Sequence, residues 1–366
     1  MQRDELGAWL RLAMAPGIGR AGARRLLATF GLPQQLFAQP QDAIQAAAGP
    51  NAAQALAREP EGWAAHCELT WDWLQAEPTR RRVLTLADPG YPPALLQTED
   101  PPLLLYAEGQ VLQEWPRAIA VVGSRNPTAQ GSINARQFGR AFAEAGFTVV
   151  SGLALGVDAA AHEGALEGAT PGQLATIAVV GTGLDRVYPK QHMQLARRIV
   201  DRGLVVSEYP LGMEPLPENF PRRNRIIAGL GLGTLVVEAA LQSGSLITAR
   251  MAVEQGKDVF AIPGSIHSPQ ARGCHALLKQ GAKLVETAQD VLEELAPGSA
   301  VHPPARLEVD DAPLLRAMGF DPVGIDALVA RTGTSAAQLQ ATLLELELQG
   351  RVARLPGGLF QRISQA

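Results

Sequence analysis

Apolar positions divide the chain into three textures. Over residues 1–75, Leu6, Trp9, Leu10, Leu12 and Ala13 recur at helical spacing, break at Pro16-Gly17-Ile18-Gly19, and resume at Ala23, Leu26, Leu27 and Phe30. This predicts short helices with no strand among them. Over residues 76–298, short runs of Val, Ile, Ala and Leu begin at Ala118, Phe147, Thr176, Leu204, Thr234, Asp258 and Ala282. Between them lie amphipathic stretches such as INARQFGRAFAEAG and HMQLARRIVDRG. Uninterrupted apolar runs mark strands covered on both faces, as in a parallel sheet under helices. Strand and helix alternating this often predict a doubly wound, mostly parallel α/β domain. Residues 296–306, APGSAVHPPAR, read as a Pro-rich linker. In residues 306–366, three helical patterns are followed by RVARL, a Gly357-Gly358 turn and LFQRI. Three helices and a hairpin predict a winged helix.

In an open parallel sheet, ligands bind beyond the carboxyl ends of the strands. The runs hand over there to Gly123-Ser124-Arg125-Asn126, to Ser151-Gly152, to Gly181-Thr182-Gly183, to Ser207-Glu208-Tyr209 and to Ser243-Gly244-Ser245. Glycine admits a ligand to the backbone, and amides at helix starts attract anions. One such loop is also what any tight turn with a Ser or Thr cap requires. Five on one rim, with strands about 4.8 Å apart, suit a chain of phosphates. The most specific stretch is Phe220-Pro221-Arg222-Arg223-Asn224-Arg225, with Pro221 in the first turn of an expected helix. Guanidinium forks match phosphates, and an adjacent aromatic ring is a platform for an unpaired base. Arg125 on the same rim favours nucleic-acid contact over a merely solvated basic helix end.

Charge narrows this reading. The chain has 366 residues with 32 Lys+Arg against 36 Asp+Glu, so it is no general polycation and its nucleic-acid contacts must be local. Cys67 and Cys274 form no CxxC, which points to a reducing cytoplasm and to neither a disulfide framework nor a zinc ribbon. No apolar run approaches a membrane span, and the acidic start MQRDEL is unlike a secretion signal. There is no G-x-x-x-x-G-K-[ST], no G-x-G-x-x-G after a strand, no HExxH and no Gly-x-Ser-x-Gly, so neither a cofactor nor a metal is expected. PGIGRAGARRLL has the look of a helix–hairpin–helix phosphate turn, but so short a Gly motif reads first as a tight corner between packed helices. Asp158 and His162, at i and i+4, read as a helix N-terminal charge and its neighbour before they read as an acid–base pair.

The ordered series GSRNPT, SGLALGVDAAAHEGAL, GTGLDRVYP, SEYP, FPRRNRIIAGL and VVEAALQSGSLITARMAVEQGKDVFAIPG resembles the DNA-processing protein A (DprA/Smf) family. The likeness runs from about Tyr91 to Val285. The front is similar to that family's small helical, SAM-like domain, and the tail to its winged helix. The resemblance implies an extended Rossmann-like domain that dimerises and binds single-stranded DNA without sequence preference. It also implies protection of incoming DNA and loading of the RecA recombinase during natural transformation, without catalysis. Carried over by position, the DNA pocket would comprise Gly123, Ser124, Arg125, Gly152, Phe220, Arg223, Asn224, Ser243, Gly244 and Ser245. Gly273-Cys274-His275 departs from the family's usual Gly-x-Asn, so no contact is assigned to that last loop.

Two further expectations follow. From residue 306 onward there are six Arg, no Lys and seven acids, and the expected recognition helix Ser335 to Leu348 carries Glu345 and Glu347 with no cation. A helix that enters the major groove needs Arg or Lys against phosphates, so this winged helix is expected to contact protein or to be structural. The alternative function is a Rossmann-type nucleotide hydrolase, because GLGLGTLVVEA resembles the PGGxGTxxE of the lysine-decarboxylase-like (LOG) enzymes. Here the proline is missing and Glu238 stands one place further from Thr234, which turns it to the other face of a strand.

Overall fold

The computed structural model describes residues 1–112, 114–295 and 313–363; the linker expected at 296–306 lies outside them. Nine strands form the main sheet: β1 (Arg81–Thr85), β2 (Leu104–Gly109), β3 (Ala118–Val122), β4 (Thr148–Ser151), β5 (Thr176–Val179), β6 (Leu204–Ser207), β7 (Gly233–Val236), β8 (Asp258–Ala261) and β9 (Lys283–Leu284). Their order is β1-β2-β6-β5-β4-β3-β7-β8-β9. From β6 to β9 every pairing is parallel, whereas β1 with β2 and β2 with β6 are antiparallel. The seven expected runs all became strands of the parallel part; the antiparallel pair β1 and β2 was not expected.

The apolar runs are explained by burial on both faces. Ile119 and Val121 of β3 join one core with Phe138, Phe142, Val149 and Ile199. Ala118, Ala120 and Val122 join the opposite core with Ile177, Val179, Val206, Ile226 and Ile227. Each fully buried aliphatic side chain contributes about 1.5–3 kcal/mol relative to exposure, so neither face tolerates a polar replacement. Helices cover the first face as Ala129–Glu144, Val157–Gly168 and Met193–Arg202, and the second as Asn219–Leu230, Ser245–Glu254 and Arg272–Lys279.

Six helices between Arg3 and Ala76 precede the sheet. Their core, built on Leu6, Trp9, Leu10, Leu26 and Leu36, continues into Val83, Leu104 and Tyr106 of β1 and β2. The antiparallel edge is thus the seat of the helical front. In the tail, helices Pro313–Met318, Ile325–Thr332 and Ala336–Leu348 surround a small sheet of β10 (Val323–Gly324), β11 (Val352–Leu355) and β12 (Leu359–Arg362). Leu315, Met318, Leu328, Leu343 and Phe360 form its core, and the architecture is a winged helix. Leu344 and Leu348 on the last helix are exposed.

Candidate nucleic-acid interface

Strand order reverses between β3 and β7, since the chain builds outward from β3 to β6 and then returns to lay β7 on the other side. The carboxyl ends of β3 and β7 therefore diverge into a crevice, the place where open sheets bind ligands. A cleft of about 720 Å³ opens there. Its walls include Gly123, Ser124 and Arg125 after β3, Phe220, Arg223 and Asn224 from the helix Asn219–Leu230, and Ser243, Gly244 and Ser245 after β7. Of the residues expected in the pocket, only Gly152 is not part of this lining; it lies beside Arg223, and a Cβ at Gly152 would overlap that guanidinium.

The aromatic element is a pair. Phe220 packs on Tyr188 with ring centroids 5.5 Å apart and planes inclined by 32°. The Arg125 guanidinium lies over the Phe220 ring, 5.7 Å from its centroid. Tyr188 also lines the cleft and is 47% exposed. Tyr188 is not among the expected pocket residues; its signal in the sequence is an aromatic residue in the loop after β5, beyond Gly181-Thr182-Gly183. Asn224 donates from Nδ2 to the Gly244 carbonyl at 3.3 Å, which ties the two helix starts together. Ser243 and Ser245 share a hydrogen bond of 2.7 Å between hydroxyls.

The three clustered arginines separate. Arg222 is exposed. Arg223 is buried and donates from Nη1 to the Val179 carbonyl, while its Nε has no partner. Burial pushes its pKa down to about 10, opposed by the attraction of Asp158. A phosphate above it would add a second negative neighbour and offset part of the hydration lost on burial. Arg225 pairs with Glu208 and Asp100 and has no place in the cleft lining. Of the three, only Arg223, the one expected in the pocket, lines the cleft. Along a helix, Arg223 shares a face with the buried Ile226, Ile227 and Leu230, whereas Arg222 and Arg225 point elsewhere.

Asp158 and His162 hold a loop. Gly152 and Ala154 donate their amides to Asp158 Oδ2 at 3.1 and 3.3 Å, and Leu153 donates to His162 Nε2 at 3.3 Å. Between them Leu153 takes a left-handed conformation with φ 57°. His162 must carry its proton on Nδ1, 2.6 Å from the Thr176 hydroxyl, which itself donates to the Val149 carbonyl. Burial, together with Arg223 and His192, pushes the His162 pKa to about 3. The unfolded chain therefore binds a proton near pH 6.5 that the folded chain refuses until about pH 3. Stability is expected to fall as pH drops through this window, by up to about 1.4 kcal/mol per pH unit from this residue. Urea unfolding from pH 7 to pH 4 measures it, and His162→Gln should flatten the profile.

Glu238, the residue on which a nucleotide-hydrolase reading rests, accepts from the Thr128 amide at 2.9 Å and from its hydroxyl at 2.6 Å. It sits at the start of the helix Ala129–Glu144, where a carboxylate complements the helix dipole, and it is absent from the cleft lining. Among the described residues, no group of three or more His, Cys, Asp or Glu is placed to hold a metal ion.

A winged helix joined to a Rossmann-like sheet whose switch-point cleft holds an Arg-and-aromatic platform defines a class of nucleic-acid-handling proteins. Comparison with known families agrees: the model for DNA recombination-mediator protein A matches residues 82–296, and that for the DprA winged helix domain matches residues 297–358. The chain belongs to the DprA/Smf family. It is 44% identical over 288 residues to protein Smf of Escherichia coli, covering 75% of this chain and 76% of that one. It is 47% identical over 211 residues to the DNA processing protein DprA of Streptococcus pneumoniae, covering 57% of this chain and 73% of that one. The X-ray structure of DprA from Streptococcus pneumoniae superposes with a TM-score of 0.67 at 37% identity, covering 80% of this chain and 98% of that one. DNA processing protein A from Helicobacter pylori, whose structure concerns a single-stranded DNA binding mode, gives a TM-score of 0.52 at 31% identity, covering 58% and 95%.

Proposed function

We propose that this protein binds single-stranded DNA in the cleft at the switch point and carries out no reaction on it. One observation carries the reading: Arg125, Phe220 and Tyr188 stack in series at the mouth of the crevice, an order suited to a phosphate followed by an unpaired base. The single-strand binding of the Helicobacter pylori relative supports it. Polar loops after β3 and β7 would receive the neighbouring phosphates through Ser124, Ser243, Gly244 and Ser245, and Gly152 would serve by leaving room for Arg223. The alternative, nucleotide hydrolysis, needs Glu238 in the cleft, and its engagement by Thr128 speaks against that.

Within the family, such binding serves to protect incoming strands and to load the RecA recombinase onto them during natural transformation, and we extend that role to this chain. It acts in the cytoplasm as a homodimer through its Rossmann-like domain. Unpaired Cys67 and Cys274 suit a reducing compartment, and Leu241, Ile266 and Leu278, which line one shallow groove, offer an apolar face for self-association. No described helix is long and apolar enough to cross a membrane. The winged helix contacts protein, in keeping with the exposed Leu344 and Leu348 beside Glu345.

Titration of single- and double-stranded oligonucleotides across a salt series tests the reading. Preference for single strands, a steep salt dependence and equal affinity after removal of the winged helix are expected. Release of base from nucleoside monophosphates would favour the hydrolase instead.

A further inference from the structure

Four side chains far apart in sequence meet at the back of the helix that carries the cleft residues. Arg20, the first residue of the helix Arg20–Phe30 after the Pro16–Gly19 turn, places Nη2 2.7 Å from Asp100 Oδ2 and Nη1 3.1 Å from Glu208 Oε2. Arg225 places Nε 3.2 Å from the same Asp100 oxygen and Nη2 2.5 Å from the same Glu208 oxygen. Two cations and two anions thus alternate around a closed quartet. One half of it is buried, with the Glu208 side chain 6% and that of Arg225 12% exposed, whereas Arg20 at 37% and Asp100 at 34% reach solvent. Glu208 Oε1 and Arg225 Nη1 are buried without a partner, so these two residues meet the rest of the quartet through their other polar atoms alone. Burial pulls the Asp100 carboxyl up, yet Arg20 and Arg225 together hold it below its ordinary range.

The position of the quartet matters more than its strength. Glu208 directly follows β6, and its neighbour Tyr209 donates its hydroxyl to the Asn219 carbonyl at 3.2 Å. The pair Glu208-Tyr209 therefore grips the helix Asn219–Leu230 at its first residue and again at Arg225. Phe220, Arg223 and Asn224 lie between the two grips. Arg20 closes the quartet from the helical front, so that front is ionically joined to the helix that shapes the cleft.

We infer that Arg20 is a positioning residue for strand binding: through Asp100 and Glu208 it fixes the helix bearing Phe220 and Arg223 without touching the nucleic acid. This rests on the cleft being the single-strand site. It also gives the Pro16–Gly19 turn a purpose other than phosphate contact, namely aiming Arg20 at the sheet.

The salt dependence of binding separates positioning from contact, because the slope of log affinity against log salt counts neutralised phosphates. Arg20→Gln is expected to weaken binding of an oligothymidylate by about fivefold or more, a typical coupling between linked sites, with the slope unchanged. The neutral pair Arg20→Gln with Asp100→Asn should remain as weak, since geometry and not net charge is at stake. In the DNA-free protein, amide hydrogen exchange over residues 219–230 should quicken in both variants. Full affinity in folded Arg20→Gln, a slope that falls with affinity, or recovery in the neutral pair would each overturn the inference, as would unchanged exchange. The exchange arm stands apart from DNA. If exchange quickens but the wild-type protein ignores the oligonucleotide, the clamp is real and the reading of the cleft is what fails, and with it the role of Arg20 in binding.

Discussion

Replacing Arg125 by Glu is expected to weaken single-stranded DNA binding by about 1.5–3 kcal/mol, or about 10- to 150-fold, because a charge-assisted contact is lost and a like charge faces the phosphates. The loss should be the same for every base sequence, and the salt slope should fall by about one or more, as expected when a phosphate contact disappears. Arg125 is the better placed of the two cleft arginines for this test. Arg223 is anchored to the Val179 carbonyl beneath the cleft, whereas Arg125 lies at the rim over Phe220. Fluorescence anisotropy with a labelled oligothymidylate at several salt concentrations measures both quantities.

Phe220→Ala should produce a loss of similar size by a different route. Stacking one base on an aromatic side chain contributes about 1–3 kcal/mol, so affinity should drop by about 5- to 150-fold while the salt slope stays as in the parent. Phe220 also supports both Tyr188 and Arg125. Combining Phe220→Ala with Arg125→Glu should therefore cost less than the sum of the two, since the second change removes a group already deprived of its platform. Strict additivity would mean that the ring and the guanidinium meet the strand independently.

How far the sequence reveals these features depends on the range of the contact that creates them. The parallel strands were legible because both faces are covered, leaving runs such as Ile119 to Val122 with no polar interruption. β1 is hard to read in the sequence because Arg81 and Arg82 begin it and only Val83, Leu84 and Thr85 follow to be covered, a pattern too short and too charged to mark a strand. β2 carries apolar residues, but its place beside β6 follows from an antiparallel return that no local pattern announces. In the cleft, the glycines and small hydroxyls after β3 and β7 mark the lining, whereas those that follow β4, β5 and β6 directly are not part of it, because strand order sets which loops converge. What each arginine of Phe220–Arg225 does was less visible. Arg223 shares helical spacing with Ile226, Ile227 and Leu230, a signal present in the sequence. The pairing of Arg225 with Asp100 and Glu208 is tertiary, and nothing near Arg20 names its partners.

The most direct test is a crystal structure of the protein with a bound oligothymidylate. The strand should cross the carboxyl ends of β3 and β7, with a base against Phe220 or Tyr188 and a phosphate at Arg125. A strand seated instead on the winged helix or on the helical front, with that crevice vacant, would contradict the assignment.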